Sequence, residues 1–428
     1  MTNQTPLVAG TGSSVVVKHC QICDHSDLQS SLFLGYLPPV NQMRVMGEPP
    51  KEQPAYPAGW LYCPHCQLVQ LGLTVDPNLL FPPEYPYTSG TTRILRDNFA
   101  EMYRECQTLV PLGANDLIVD IGSNDGTLLS QFQTGGHPVQ GIEPTLMSNL
   151  ANERGIPTKM AFFGTEIAEQ VKFERGSAKI VTATNVFAHI ENIHDIVKNI
   201  LVLLDDKGVF ISESHYLMSL IETLQYDTIY HEHLRYYSLQ SLQYLFEKHG
   251  LEVIHAKRIP THGGSIRVYA AKKGIYPVQP SVPSLLNEEI PPAAMTEQLE
   301  KFKQRVVISK LQLHALLLEI KTAGHHIYGI GAPSRASTLI NYVGLDDGIL
   351  DCVLEIKGSY KIDKYMPGTL IPVLEESKLF EDQPEYALLL SWHIADELMP
   401  KLVQKGFKGH FIIPLPEPRV VMNDRVST

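Results

Sequence analysis

Apolar and polar positions alternate along the chain with two different periods. Apolar residues recur at helical spacing over residues 91–110 and 296–323, which predicts two helices. From about residue 114, short apolar runs alternate with helical stretches, as in LIVDIG, PVQGIEP, KIVTATNVF, GVFISES, EVIHAKRI and SIRVYAAKK. The alternation returns in HHIYGIG, GILDCVLE, YALLLSW and GHFIIPLP. Buried strands that alternate with helices indicate two α/β layered domains.

The remaining segments complete the predicted domain organisation. Residues 1–18 are small and polar and are expected to be a disordered tail. Residues 277–295 hold too many prolines for a regular element and are interpreted as a linker. The expected order is a tail (1–18), a zinc-binding domain rich in Cys, Pro and Gly (19–75), a helical connection (76–113), an α/β domain (114–276), the linker (277–295) and a second α/β domain (296–428).

Size and composition limit the classes of function. A chain of 428 residues is long for one hydrophobic core, and 44% hydrophobic with 19% charged residues is typical of a globular protein. No apolar run approaches the roughly 20 residues of a membrane span, and the N-terminus lacks the build of a signal peptide, so we expect a cytoplasmic protein without membrane contact. The net charge of −11 argues against a nucleic acid partner. We expect a monomer.

Four of the six cysteines form two CxxC pairs, Cys20 with Cys23 and Cys63 with Cys66. Two such pairs can meet to hold one tetrahedral zinc ion through four thiolates, which is the closed coordination of a structural site. Unligated thiols are one alternative. Replacement of one thiolate by a nearby histidine is another, and the candidates are His19, His25 and His65.

A glycine turn follows the first strand of the first α/β domain. The strand in LIVDIGSNDGTLLSQF ends at Asp120, and Gly122 and Gly126 flank a turn into a helix, where the backbone can approach a ligand and present free amides. This spacing differs from the G-x-G-x-x-G pattern that cradles a pyrophosphate.

The next strand ends in Glu143, which is placed to accept hydrogen bonds from ribose hydroxyls. A ribose without a phosphate indicates S-adenosylmethionine, with a plain strand-to-helix turn as the alternative. The expected cofactor-binding residues are Asp120, Gly122, Asn124, Gly126, Glu143 and Asn185.

Several motifs follow one another in a set order from one end of the chain to the other. They are the two CxxC pairs, EYPYTSG, VDIGSNDGTLL, NVFAHIEN, YDTIYHEHLRYYS, HGGSIRVYA, GIGAPSR, YMPGTLIPV and LLLSWH. In this order they resemble the zinc-containing, S-adenosylmethionine-dependent C-methyltransferases of nucleotide-linked deoxysugars.

The resemblance implies an α/β protein with three parts. These are a small zinc domain, a central class I methyltransferase domain with a mostly parallel seven-stranded sheet, and a C-terminal Rossmann-like domain that helps to hold the sugar nucleotide. S-adenosylhomocysteine would be the product, zinc would be structural, and the partner would be a dTDP-, GDP- or similar 4-keto-6-deoxy sugar. The chain departs from the family where Ser334-Arg335-Ala336-Ser337 stands in place of a small residue and Lys-Gly-Asn, which leaves the nucleotide and the sugar open.

The segment DTIYHEHLRYYS, residues 227–238, crowds three tyrosines, two histidines and one glutamate. It does not complete the metalloprotease pattern HExxH, and on a helix His231 and His233 would point about 200° apart. A metal site on a strand and a packed core are the alternatives. C-methylation requires a base for a proton next to a ketone and a donor for the enolate oxygen, and histidine and tyrosine supply these.

We hypothesise that His233 removes the C3 proton of the sugar and that the enolate attacks the sulfonium methyl. Tyr230 would donate to the 4-oxygen, and Glu232 would orient the base or bind a sugar substituent. By resemblance, His233, Tyr230, Glu232 and His189 occupy the family's matching positions. His189 and Tyr87 are expected to complete the catalytic pocket, and Tyr85 is expected to bind the substrate.

A second glycine turn, in HHIYGIGAPSRAS, precedes a helix start that carries hydroxyls and an arginine. Such a turn forms a diphosphate seat, with a purely structural turn as the alternative. The expected substrate-binding residues here are Gly331, Ser334, Arg335 and Ser337, together with His262 of the HGGS motif.

Three other functions are weighed against carbon methylation. O- or N-methylation of a sugar nucleotide would need no carbon acid. A zinc- and nucleotide-binding scaffold would not catalyse at all. An NAD-dependent dehydrogenase is disfavoured because neither glycine turn has the complete G-x-G-x-x-G pattern.

Overall fold

The computed structural model describes residues 14–49, 51–80, 90 and 92–423, so Tyr85 and Tyr87 lie outside the described residues. The N-terminal unit consists of short strands and two helices. In chain order these are β1 (Val15–Val16), β2 (Gln29–Leu37), β3 (Arg44–Val45), β4 (Tyr56–Tyr62), β5 (Val69–Leu71), β6 (Leu73–Thr74), α1 (Pro77–Leu80) and α2 (Arg93–Leu109). Buried and half-buried residues alternate along β4, as in a strand with one face on the core.

The tail that was predicted to be disordered includes the residues of strand β1. Strand β1 pairs antiparallel with β6, with Val15 opposite Thr74. Valines are β-branched and favour a strand wherever an open edge is available. The prediction of disorder up to residue 18 is therefore wrong for the residues of β1.

The central unit is a seven-stranded sheet with helices on both faces. Its elements are β7 (Leu117–Ile121), α3 (Thr127–Thr134), β8 (Val139–Ile142), α4 (Met147–Glu153), β9 (Thr158–Lys159), α5 (Thr165–Arg175), β10 (Ala178–Thr184), α6 (Ile193–Leu203), β11 (Leu204–His215), α7 (Leu217–Glu222), β12 (Arg235–Tyr236), α8 (Leu239–Glu247), β13 (Leu251–Ile259) and β14 (Ser265–Lys272). The strand order is β13-β14-β11-β10-β7-β8-β9.

The five strands from β11 to β9 in this order pair in parallel, and β14 runs antiparallel to both β11 and β13. All residues of β7 and β8 are buried, as expected for strands covered on both faces. The mostly parallel seven-stranded sheet of the class I methyltransferases is thereby confirmed.

The segment 277–295 is not a linker. It contains helix α9 (Ser281–Glu288), and helix α10 (Pro292–Thr322) begins inside it. Pro283 lies in the first turn of α9 and Pro292 is the first residue of α10, where a missing N–H removes no intrahelical hydrogen bond. The prolines start these helices, and the prediction wrongly treated them as breakers.

The C-terminal unit is an eight-stranded sheet. Its elements are β15 (Ile327–Ile330), α11 (Ser334–Val343), β16 (Cys352–Glu355), β17 (Lys364–Tyr365), β18 (Pro372–Glu375), α12 (Ser377–Asp382), β19 (Tyr386–Leu389), α13 (Ala395–Gln404), β20 (His410–Ile413) and β21 (Arg419–Val421). The order is β21-β20-β19-β15-β16-β18-β17-β3, with β20 to β18 parallel. The chain leaves β15 toward one side through β16 and returns on the other through β19. Ligands bind at such a reversal, outside the carboxyl ends of the strands.

The three units exchange strands. β3 of the N-terminal unit pairs with β17 at the edge of the C-terminal sheet. β12, which begins two residues after the YHEH segment (residues 230–233), pairs with β5 and completes the N-terminal sheet β12-β5-β4-β2. Trp60 of β4 also stacks on Phe302 of α10, with ring centroids 5.4 Å apart. The YHEH segment is thus held where all three units meet. Within the described part of the chain, no helix combines the length and apolar character of a membrane span.

Candidate active site

The four cysteines of the CxxC pairs meet at one point. Their sulfur atoms all lie within 4.8 Å of one another, with 3.3 Å between Cys20 Sγ and Cys66 Sγ and 3.5 Å between Cys23 Sγ and Cys63 Sγ. This set fits one ion with four Zn–S bonds of about 2.3 Å in a tetrahedron. No histidine or carboxylate of the described residues joins the group. The predicted four-cysteine zinc site is confirmed, and all its ligand positions are filled by protein.

Each CxxC turn closes in the same way. The amide of Asp24 donates to Cys20 O, and the amide of Gln67 donates to Cys63 O, at 2.9 Å in both cases. Both Asp24 and Gln67 have positive φ, 65° and 63°. A left-handed residue directly after the second cysteine turns the chain so that both thiols of a pair face the same side.

The glycine loop of the central sheet has the conformation that a cofactor site needs. Gly122 and Gly126 have φ of 71° and 76°, and a Cβ on Gly122 would stand 2.4 Å from Val186 Cγ2. The Gly122 amide donates to Ile142 O at 2.8 Å, which ties the loop to β8. Asn124, between the glycines, also has positive φ, 50°. No side chain larger than hydrogen fits at Gly122 without displacing Val186.

Acidic side chains line the carboxyl edge of the central sheet beside this loop. Glu143, just past β8, accepts hydrogen bonds from the amides of Asn124 at 3.0 Å and Thr145 at 2.9 Å. Asp120 is buried and accepts from Thr182 Oγ1 at 2.6 Å, and burial raises its pKa to about 7. Asn185 follows β10 at the same edge with φ of 55°. The predicted cofactor residues are therefore brought together at one edge.

His233 lies buried in the middle of a cluster of rings. Its Nδ1 is 2.8 Å from Thr228 O, and because a carbonyl only accepts, Nδ1 carries the proton and Nε2 keeps its lone pair. The rings of Tyr230 and His189 lie 4.2 Å and 4.9 Å from it. Burial, together with the neighbouring His189, holds the pKa of His233 well below its usual value, so the imidazole is neutral at physiological pH.

The other residues of the cluster are fixed around it. His189 Nδ1 donates to the backbone oxygen of Glu232 at 2.5 Å, and burial lowers its pKa. Burial and the charge of Glu232 raise the pKa of Tyr230 well above its usual value, so its phenol remains a hydrogen-bond donor. Glu232 Oε1 accepts from Asn41 Nδ2 at 2.6 Å, and Asn41 in turn accepts from Ser334 of the C-terminal unit at 3.4 Å.

His231 faces away from this cluster. Its Nε2 lies 3.4 Å from Pro57 O, and its ring packs edge-on against Tyr56 in the N-terminal unit. No metal-binding group is found at HEH among the described residues. The two histidines have separate surroundings, which argues against a shared metal at HEH.

Arg335 occupies a different place from the one expected. Its guanidinium holds Asp227 through Nε at 2.7 Å and Nη2 at 2.8 Å, and Nη2 also reaches Gln225 at 3.2 Å. Trp392 donates to the same carboxylate at 2.7 Å, and its ring lies under the guanidinium at 4.9 Å. The charge predicted to face a diphosphate is balanced inside the protein by Asp227, which lies three residues before YHEH in the chain.

The remaining predicted substrate residues lie around the same junction. Gly331 has φ of 80°, and a Cβ there would stand 2.6 Å from Ser391 Oγ. Ser337 is buried in α11. The ring of His262, at φ of 55°, lies edge-on to His215 at 5.7 Å.

Sequence reasoning missed three residues of the site. His215, at the end of β11, packs edge-on against His233 with ring centroids 4.8 Å apart. It could have been found, because it ends a strand at the edge that holds the cofactor residues. Asn41 and Asp227 had no such signal, since their partners lie in other units.

Three family models match the chain. "Putative zinc binding domain" matches residues 20–81, "Methyltransferase domain" residues 94–256 and "C-methyltransferase C-terminal domain" residues 260–416. A curated relative, the C-methyltransferase NovU of Streptomyces niveus, is 31% identical over 411 residues, which span 95% of this chain and 97% of NovU.

Solved methyltransferase structures resemble less than half of the chain, at low identity. Magnesium protoporphyrin IX methyltransferase of Synechocystis PCC 6803, with bound SAM, is 14% identical over 42% of this chain and 78% of its own, with a TM-score of 0.31. The CcbJ methyltransferase of Streptomyces caelestis is 12% identical over 41% of this chain and 89% of its own, with a TM-score of 0.33.

A four-cysteine zinc site joined to a class I methyltransferase sheet defines a zinc-containing, S-adenosylmethionine-dependent methyltransferase. Within that class, the chain belongs to the C-methyltransferase family that includes NovU. S-adenosylmethionine is its methyl donor and zinc its structural metal.

Proposed function

We propose that this C-methyltransferase methylates C3 of a nucleotide-linked 4-keto-6-deoxy sugar, with His233 as the general base. The observation that carries the proposal is the hydrogen bond from His233 Nδ1 to Thr228 O. It fixes the tautomer in which Nε2 is a free proton acceptor, and it does so on a buried ring whose pKa is held low. The lowered pKa keeps Nε2 unprotonated, so that it can accept a proton from carbon.

The side chains around His233 support the rest of the step. The C3–H bond breaks, His233 Nε2 takes the proton, and the electron pair moves through C4 to the 4-oxygen. Tyr230, whose phenol stays protonated, donates to that oxygen and stabilises the enolate. S-adenosylmethionine, held by the loop between Gly122 and Gly126 and by Glu143, supplies an electrophilic methyl group when bound.

The surroundings of His233 also keep water away from the enolate. Tyr230 and His233 are 8% and 6% exposed, and Glu232 is 2% exposed. Exclusion of water prevents reprotonation at C3 before methyl transfer. Tyr85 and Tyr87, whose motif matches the family, are proposed to complete the same pocket.

A sugar nucleotide is proposed as substrate because of how the units meet. The glycine turn of the C-terminal sheet and the YHEH segment are joined by the chain Ser334–Asn41–Glu232. A substrate that extends from a nucleotide seat to a sugar pocket spans such a junction.

Solvent exchange tests the role of His233. In deuterated water without methyl donor, but with S-adenosylhomocysteine bound, the wild-type protein should exchange the C3 proton of its 4-keto substrate. His233→Asn should lose exchange and methyl transfer and still bind S-adenosylhomocysteine. His231→Asn is the matched control, because His231 is also buried, lies two residues away and faces Tyr56, and it should retain both activities.

Exchange that persists in His233→Asn would remove His233 from the role of base. The substrate itself is found by incubating dTDP-, GDP- and UDP-linked 4-keto sugars with the methyl donor and measuring the gain of one methyl group by mass spectrometry. Transfer to oxygen or nitrogen would give the same mass without C3 exchange. A scaffold without catalysis would give neither.

A further inference from the structure

Lys361 lies against the glycine turn of the C-terminal unit. Its Nζ donates to Ala332 O at 2.5 Å, and Ala332 is part of that turn. An ammonium has three donors, and no carboxylate of the described residues lies within 4.0 Å of Nζ. Lys361 is therefore a partly buried cation whose hydrogen-bonding capacity is not used up by an ion pair.

Glu355 marks the nucleoside end of the same turn. It is the last residue of β16, the strand that follows the turn in the parallel sheet, and its Oε1 accepts from the Ala332 amide at 2.7 Å. In Rossmann-like folds an acid at the end of this strand binds a ribose hydroxyl. Ala332 thus has Glu355 on its amide and Lys361 on its carbonyl.

Glu232 lies next to His233 in the chain, on the side of the proposed sugar pocket. The carboxylates of both Glu355 and Glu232 act electrostatically on Lys361, opposing the effect of burial, which lowers its pKa. Tyr360 is influenced by the same two carboxylates. Lys361 therefore contacts the turn that binds Glu355 through the Ala332 amide and that connects, two residues later, through Ser334 and Asn41 to Glu232. In a nucleoside diphosphate sugar, the group between ribose and sugar is the diphosphate.

The charges at the junction also favour a diphosphate beside Lys361. Arg335, another cation of this region, is neutralised by Asp227. A diphosphate carries about two negative charges that need a nearby cation and hydrogen-bond donors when they leave water. Lys361 supplies both.

We propose that Lys361 binds the diphosphate of the sugar nucleotide and takes the role that the sequence had suggested for Arg335. The proposal rests on the proposed function, since it presupposes a nucleoside diphosphate sugar. It also fixes the direction of the substrate, with the nucleoside toward Glu355 and the sugar toward His233.

Calorimetry with dTDP, UDP and GDP tests the proposal on the zinc-loaded protein saturated with S-adenosylhomocysteine. Lys361→Met should weaken binding of the preferred nucleotide about tenfold to a hundredfold, the usual effect of losing a charge-assisted hydrogen bond. Lys357→Met removes the same charge from an exposed position four residues earlier and should change affinity less than about twofold. Affinity for S-adenosylhomocysteine should be unchanged in both variants.

The outcomes separate the two proposals. If the wild-type protein binds none of the three nucleotides, the sugar-nucleotide function is wrong. If it binds one and Lys361→Met binds it equally well, Lys361 is not its ligand. If the Lys361→Met variant also loses S-adenosylhomocysteine binding, amine labelling of the wild-type protein tests the proposal instead. Bound nucleotide should slow the labelling of Lys361 and leave the labelling of Lys357 unaffected. Equal labelling rates at Lys361 with and without nucleotide would overturn the proposal.

Discussion

Replacing Asp227 with asparagine should destabilise the junction between the central and C-terminal units. Asp227 is fully buried and accepts three hydrogen bonds, two from Arg335 and one from Trp392, at 2.7 to 2.8 Å. Removal of one partner of a buried pair leaves the other charge uncompensated, which costs about 3–5 kcal/mol. The amide group of the new side chain would also turn donors toward a guanidinium that only donates.

Urea unfolding followed by tryptophan fluorescence measures this loss. The chain has two tryptophans, Trp60 and Trp392, and a Trp60→Phe background isolates the emission of Trp392, which contacts Asp227 directly. In this background Asp227→Asn should lower the urea midpoint of the Trp392 transition. Asp206→Asn is the control, because Asp206 forms an exposed pair with Lys272, and it should leave the midpoint unchanged.

A double variant distinguishes the loss of the whole Asp227–Arg335 ion pair from the loss of one of its two charges. Asp227→Leu combined with Arg335→Met removes both charges and should be less destabilised than either single variant. The reasoning would be refuted if Asp227→Asn unfolded like the parent protein while nucleotide binding fell sharply, because Arg335 would then serve the ligand and not the junction.

The remaining predictions concern pH and zinc. Burial lowers the pKa of His231 to about 4, against about 6.5 in an unfolded chain, so its contribution to stability is complete above about pH 6.5 and is lost as pH falls toward 4. The urea midpoint should therefore fall between about pH 6.5 and about pH 4, with a smaller fall in His231→Gln, and equal slopes in both proteins would contradict this account. Removal of zinc by a chelator should abolish methyl transfer at zinc and chelator levels that still permit S-adenosylhomocysteine binding, because β5 of the zinc unit pairs with β12 while the cofactor loop belongs to the central sheet. Methyl transfer is measured together with zinc content, and calorimetry measures the binding of S-adenosylhomocysteine. Loss of transfer and binding at the same zinc content would indicate one cooperative unit.

The sequence predicted those parts of the protein that depend on local patterns. Apolar runs located the six main strands from β7 to β14, because a strand covered on both faces needs an unbroken apolar stretch. The positive φ of Gly122 and Gly126 explains why the cofactor loop could be recognised from two glycines. The CxxC spacing likewise reflects the local closure of each turn around Cys20 and Cys63.

Features that join distant segments escaped prediction for a physical reason. β3 and β12 are two residues long, too short for any periodicity, and they exist only because a partner edge is present. Arg335 was expected to meet a ligand because its sequence neighbours form a glycine turn, but its partner Asp227 lies in another unit. Contacts of this kind depend on the packed fold and leave no periodic trace in the sequence.

The strand exchange between units sets the order in which this protein can become active as it leaves the ribosome. The zinc unit is synthesised before the other two units, and the edge of β5 stays open until β12 has emerged much later. The edge of β17 is likewise made long after its partner β3. An open strand edge invites pairing with other chains, so the incomplete polypeptide is most prone to aggregate in this interval. Since Asn41 reaches Ser334 only when the last unit has folded, the site around Glu232 is completed by the final third of the chain.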